Sequence, residues 1–224
     1  MQTLRQKTIL IEGNICSGKS SLIKYIENNP DHISSLIETI YEPVNLWRDL
    51  RGENLFKLFS QNPKKYAFPF QSYVQKTMFT SHMKTLNPSK QFKIMERSIY
   101  SARYCFCENL YENGLLDKCE MSIIDSWFQY LTQNFIRPPN LIVYLEASPE
   151  VLVNRIRVRG RPEEQFIDLH YLFKIGEKYD SFLKSNIFGI IPIIRINTNV
   201  PECQISKEYE LGFKAIKNSL LDTQ

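Results

Sequence analysis

The sequence predicts an α/β fold, because five short β-forming runs, nearly continuous in apolar residues, alternate with segments long enough for helices. Strands that are apolar on both faces belong to a parallel sheet covered by helices on both sides. In chain order, Thr8-Ile9-Leu10-Ile11 forms the first strand and leads through a glycine and serine turn into a helix over 20–28. Further strands are expected at 36–41, 92–95, 141–145 and 190–196, and helices at 69–86, 101–111, 122–135, 149–157, 169–184 and 206–220. Pro43, Pro63, Pro88, Pro138, Pro139 and Pro201 mark element edges, where a residue without a backbone donor is tolerated. No internal repeat, low-complexity tract or long linker divides the chain, so residues 1–224 are expected to form one domain.

With 224 residues, 43% of them hydrophobic, the chain can bury a substantial core. A net charge of +4, evenly spread, is too small to argue for nucleic-acid binding, although it suits a protein that handles anionic phosphates. The five cysteines (Cys16, Cys105, Cys107, Cys119, Cys203) are odd in number and lack metal-ligand spacing, which points to a reducing compartment rather than to a disulfide framework or a zinc site. No apolar run approaches the roughly twenty residues of a membrane span, and a strand pattern beginning by Lys7 leaves no room for a signal or transit peptide. A cytoplasmic location without membrane contact is expected; a natural start farther upstream would reopen a mitochondrial address.

Gly13-Asn14-Ile15-Cys16-Ser17-Gly18-Lys19-Ser20 fits the pattern G-x-x-x-x-G-K-[ST], with the strand before it and the helix after it that the chemistry requires. The two glycines let the backbone curl so that its N–H groups face phosphate oxygens. Lys19 can bridge the β- and γ-phosphates, and the Ser20 hydroxyl can ligate Mg²⁺. Such a loop does not name the acceptor, because GTPases, ATPases and small-molecule kinases share it.

After the second strand, Tyr41-Glu42-Pro43-Val44-Asn45-Leu46-Trp47 puts a carboxylate at the carboxyl edge of the sheet, where open α/β sheets bind ligands. Glu42 is there positioned to accept a hydroxyl proton. The third strand ends in Met95-Glu96-Arg97-Ser98. Glu96 can hold Mg²⁺ directly or through water, and Arg97 can hold Glu42 and meet a transferring phosphoryl group. Taken singly, such pairs read as surface salt bridges; two of them after consecutive strands, beside a phosphate loop, favour the functional reading. Farther on, Arg155, Arg157, Arg159 and Arg161 alternate. On a helix Arg155 and Arg159 share a face that Arg157 leaves, so they cannot all serve one phosphate.

These motifs, together with Pro69-Phe70-Gln71-Ser72-Tyr73-Val74, the run from Glu96 to Tyr104 and Arg159-Gly160-Arg161-Pro162-Glu163-Glu164-Gln165, resemble the animal-type deoxyribonucleoside kinases. The likeness covers about four-fifths of the chain, in order and at family-like spacing. It is strongest to the branch holding mitochondrial thymidine kinase and the broad-specificity insect enzyme. The resemblance implies a P-loop kinase with a five-stranded parallel sheet flanked by helices and an arginine-rich lid over about 155–168. In that lid Arg159 and Arg161 close over ATP and Arg155 assists. It also implies a homodimer built through helices and restraint by the end-product triphosphate.

For the acceptor pocket, the resemblance makes Gln71 the reader of the base edge, its amide offering one donor and one acceptor to thymine or, turned over, to cytosine. Phe106 and Trp47 would hold the base between their faces with Phe70 nearby, and Val74, Met78 and Ala102 would line the space around the 5-position. The deoxycytidine and deoxyguanosine branches generally carry arginine and aspartate in the places of Met78 and Ala102, so the apolar pair here favours pyrimidines including thymidine. Glu164 matches the carboxylate that meets the 3′-hydroxyl, but its usual tyrosine partner is Ser60. Either Ser60 reaches the hydroxyl through a water, or the alignment slips and Glu164 holds the sugar alone. Cys16 stands where the family commonly has glycine, which a side chain tolerates if its φ is negative.

The expected reaction is transfer of the γ-phosphate of ATP, with Mg²⁺, to the 5′-hydroxyl of a deoxynucleoside, with Glu42 as base and Lys19, Arg97, Arg159 and Arg161 stabilising the developing charge. The competing readings are a nucleoside-monophosphate kinase, which would need a cationic site where Glu42 lies, and a non-catalytic P-loop module. The absence of an Asn-Lys-x-Asp motif argues against a GTPase.

Overall fold

The computed structural model describes residues 6–185 and 187–221. The elements run β1 (Lys7–Gly13), α1 (Lys19–Glu27), α2 (His32–Ser35), β2 (Ile37–Ile40), α3 (Val44–Arg48), α4 (Leu55–Gln61), α5 (Pro63–Met83) and β3 (Phe92–Glu96). Then come α6 (Ile99–Ser101), a π-helical stretch (Ala102–Cys107), α7 (Glu108–Glu112), α8 (Lys118–Asn134), β4 (Leu141–Glu146) and α9 (Pro149–Arg159). A 3-10 turn (Pro162–Glu164), α10 (Leu169–Lys184), β5 (Ile193–Asn197) and α11 (Ile205–Leu221) complete the fold.

All five strands are parallel, in the order β2-β3-β1-β4-β5. The first strand in sequence is therefore the central one. Its apolar run is explained by that place: Ile9, Leu10 and Ile11 have no exposed surface, and burying each contributes about 1.5–3 kcal/mol. Successive side chains of a strand point to opposite faces. Ile9 and Ile11 pack with Leu22, Ile23 and Ile26 of α1 and Phe213 and Ile216 of α11, whereas Leu10 packs with Val74 and Met78 of α5, Phe128 of α8 and Ile175 and Tyr179 of α10. Two helical layers thus cover one sheet. Among the described residues no helix is long and apolar enough to cross a membrane.

Several elements depart from the sequence expectation. The helix expected at 69–86 begins at Pro63, with Asn62 as its N-cap accepting from the Lys65 N–H, and keeps Pro69 inside it. Proline normally marks a helix start; here Pro63 already fills that role. The helix expected at 122–135 begins at Lys118, where Asp117 and Glu120 form a reciprocal capping box. The segment 101–111 is interrupted by the π-helical stretch. Ile190 is fully exposed and outside β5. Helices α2, α3 and α4, of four to seven residues, are too short for their periodicity to be read.

Candidate active site

The phosphate loop leaves the carboxyl end of β1, beside β3 on one side and β4 on the other. Gly13 (φ 146°) and Gly18 (φ 98°) lie in the left-handed region, and contact adds a second reason for glycine. A Cβ at Gly18 would come within 2.4 Å of the Tyr209 hydroxyl, and one at Gly13 within 2.8 Å of the Leu145 carbonyl. Asn14 accepts from the Ile15 N–H and donates to the Leu172 carbonyl at 2.8 Å, which ties the loop to α10. Ile15 and Cys16 pack against Leu152, Ile156 and Leu172. Cys16 has φ 61°, not the negative value under which a side chain would sit without strain, so the thiol occupies a backbone conformation natural to glycine. Burial raises the pKa of that thiol. The Ser17 hydroxyl is buried and has no hydrogen-bond partner among the described residues.

Lys19 is buried, and its ammonium donates to the Gly13 and Asn14 carbonyls at 3.1 and 2.8 Å. Burial, with the nearby Arg97 charge, brings its pKa down to about 8, against the pull of Glu42 and Glu96.

From the loop a continuous chain of contacts crosses to the acceptor side. Ser20 Oγ donates to Glu96 Oε1 at 2.5 Å, and Glu96 Oε2 accepts from the Glu42 N–H at 3.5 Å. Glu42 Oε1 in turn meets Arg97 Nε at 2.8 Å. Arg97, with φ 64°, lies with its guanidinium 4.6 Å above the Phe106 ring and donates from Nη1 to Tyr179 Oη at 2.7 Å. Burial works against the Arg97 charge, but Glu42 and the other acids around it hold its pKa above the ordinary value.

The expected pocket residues gather on α3, α5 and the π-helical stretch. Trp47 is buried, donates from Nε1 to Thr77 Oγ1 at 2.9 Å, and packs edge-on to Phe70 at 5.7 Å. Phe70 stacks on Phe59 at 4.7 Å and on Phe56 at 5.3 Å. Val74, Met78 and Ala102 are buried in the same cluster. Among the described residues Trp47 shares no ring contact with Phe106, which lies under Arg97. The Gln71 Oε1 accepts a long contact from Cys107 Sγ at 3.5 Å. Ser60 turns its hydroxyl back to the Lys57 carbonyl of its own helix at 2.9 Å, a local bond that competes with any outward role.

The lid segment is already paired. Glu164 is buried and accepts from Arg159 Nη2 at 2.5 Å and Arg161 Nη1 at 3.2 Å. Glu163 beside it accepts two hydrogen bonds from Arg48 at 2.8 and 3.0 Å and one from Asn54 at 3.1 Å. Burial alone would raise the Glu163 pKa, but these bonds bring it down to about 2. Arg155 is the third arginine expected to serve the nucleotide. It donates to the Thr198 carbonyl at 2.7 Å, one helical turn away from Arg159, and there ties α9 to the segment after β5.

Residues the sequence did not single out complete the site: Glu12, Tyr179, Arg48, Asn54 and Glu163. A carboxylate inside the apolar run before Gly13 was a readable signal for Glu12. Tyr179 offered none, being one apolar position on an amphipathic helix.

A deoxynucleoside kinase family profile matches residues 9–218. The chain is 36% identical over 197 residues to mitochondrial thymidine kinase 2 of Macaca fascicularis and, equally, of Homo sapiens, covering 87% of this chain and 72% of either relative. It is 32% identical over 225 residues to deoxycytidine kinase of Rattus norvegicus, covering 88% of this chain and 85% of that protein. A phosphate loop on the central strand of a parallel sheet, joined to an acid–arginine pair and matched over nearly the whole chain, leads to one statement: the chain belongs to the deoxynucleoside kinase family.

Proposed function

We propose that this chain transfers the γ-phosphate of ATP to the 5′-hydroxyl of a deoxyribonucleoside, giving the monophosphate, and that it prefers pyrimidines. The observation that carries the reading is the contact chain Ser20–Glu96–Glu42–Arg97, which sets the acceptor carboxylate beside the phosphate loop at one edge of the sheet. The orphaned Ser17 hydroxyl inside the loop is the kind of donor a phosphate oxygen satisfies. In the reaction, Glu42 takes the 5′-hydroxyl proton while Lys19, Arg97, Arg159 and Arg161 balance the charge spread over the transferring group. The oxygen pair of Ser20 and Glu96 suits Mg²⁺, which binds through one or two protein oxygens and substrate phosphates and supplies charge neutralisation when bound. Arg159 and Arg161 must leave Glu164 to reach a nucleotide, which frees that carboxylate for the 3′-hydroxyl. With Ser60 bonded within its own helix, Glu164 serves the sugar alone.

The apolar lining by Val74, Met78 and Ala102 supports pyrimidines, with Gln71 reading the base edge. We also propose a homodimer through α8, because Ile123, Trp127 and Tyr130 share one face and are 41%, 57% and 53% exposed. An aromatic patch of this kind on a soluble helix marks an interaction surface.

The test incubates the protein with ATP, Mg²⁺ and a panel of nucleosides and monophosphates. Deoxynucleoside monophosphates are expected; diphosphates formed from monophosphates would favour the rival kinase class, and no phosphorylated product a binding module. Glu42→Gln should lower kcat by about 10²–10⁴ with nucleoside binding retained, the usual size of a general-base effect.

A further inference from the structure

Glu12 has no exposed surface, yet it sits in the central strand directly before the phosphate loop. An unpaired carboxylate there would be strongly unfavourable, and its partners are specific. Oε1 accepts from Ser98 Oγ at 2.5 Å and Oε2 from Tyr179 Oη at 3.1 Å. Tyr179 is equally buried, its ring 5.6 Å from Tyr144 and 6.5 Å from Phe182, so the core of the sheet sets its place. A tyrosine hydroxyl has one proton. With that proton directed to Glu12, the Tyr179 oxygen is left as an acceptor, and Arg97 Nη1 donates to it at 2.7 Å.

We infer that Glu12 and Tyr179 are positioning residues for phosphoryl transfer, forming a buried relay that orients the Arg97 guanidinium so that its Nε edge holds Glu42. The guanidinium is a rigid planar fork. Glu42 takes one edge, Tyr179 another, and Phe106 underlies the face, which leaves the plane little freedom to rotate. Ser98 strengthens the arrangement from the next residue: its Oγ also accepts from the Ser101 N–H at 3.2 Å, fixing the backbone just after Arg97. Without the Tyr179 oxygen, Nη1 becomes a buried donor with no partner and the fork turns toward other acids, drawing Nε away from Glu42. The inference rests on Glu42 as base and Arg97 as its holder.

The experiment measures steady-state kinetics of Tyr179→Phe, which keeps the ring and removes only the hydroxyl. Expected is a kcat lower by about 10- to 100-fold, with KM for ATP and deoxynucleoside within about twofold of the unmodified chain. In an Arg97→Lys background, where the second edge is gone, the same change should cost less than about twofold, because Tyr179 acts through Arg97. An unchanged kcat, or an equal loss in both backgrounds, overturns the inference. If Tyr179→Phe does not fold, Ser98→Ala reads the relay from its other end, where a several-fold fall in kcat supports it and an unchanged kcat overturns it. Failure of the underlying reading shows separately, as full activity in Glu42→Gln.

Discussion

Raising the pH from 7 to 9 should weaken ATP binding about tenfold, because the buried Lys19 ammonium loses its proton over that range. Lys19 is lowered from 10.5 to about 8, chiefly by burial, a difference of about 3 kcal/mol between folded and unfolded chains. The sign follows from proton counting. Between about pH 8 and 10.5 the unfolded chain holds the Lys19 proton and the folded chain does not, so the Lys19 contribution to stability rises with pH across that window, while the buried Cys105 and Cys107 thiols, raised above 9.0, act in the opposite sense. Nucleotide reverses the balance, since an anionic phosphate favours the charged amine. At pH 9 about one molecule in ten carries the proton, so binding weakens about tenfold and takes up close to one proton, against little uptake at pH 7. The Cys16 thiol, nearby, is raised above its ordinary 9.0 and contributes little at pH 9. Titration calorimetry with ATP in buffers of different ionisation enthalpy reads the uptake directly, and Lys19→Arg, permanently charged, should flatten the profile. Heats at pH 9 that do not depend on the buffer would refute the reasoning.

Three further outcomes follow from the site. Glu164→Gln should raise KM for thymidine about tenfold or more, as expected for a lost charge-assisted hydrogen bond, while leaving KM for its 3′-deoxy analogue nearly unchanged; Ser60→Ala should move neither, and steady-state kinetics on both substrates checks this. Alkylation of Cys16 should be slow at pH 7, accelerate as the raised thiol ionises, and be blocked by ATP; mass spectrometry of the modified peptide alongside residual activity is the measurement, and full activity after complete modification would count against it. Trp127→Glu should yield a monomer in sedimentation velocity, and a monomeric unmodified chain would end the proposal of a dimer through α8.

Much of this architecture could be read from residues alone. The five strands, the loop between β1 and α1 and the bounds of α10 follow from apolar runs and helical spacing, which are local signals. The strand order is not local: nothing near residue 9 states that β3 and β4 will flank it, and only the two-faced burial of Ile9, Leu10 and Ile11 hints at a central place. Glu42, just past β2, Glu96, the last residue of β3, and Arg97, directly after it, were expected at the carboxyl edge of the sheet, and they lie together there. The bond from Arg155 to the Thr198 carbonyl was not legible, because its partner lies more than forty residues away in sequence. Ser60 sits on a helix too short to announce itself, and the relay through Tyr179 joins positions 82 and 167 residues apart in sequence.

The bonds between Glu163, Arg48 and Asn54 carry a consequence for how the molecule opens. They staple one end of the arginine segment to the acceptor-side helices, while Gly160, with φ 65° and no atom that would crowd a side chain, forms a swivel at the other. Only three residues, Gly160, Arg161 and Pro162, lie between Arg159 and that staple. In the proposed reaction the travel of the two arginines from carboxylate to triphosphate would thus be a short hand-over, closer to a wrist turning than to a door swinging.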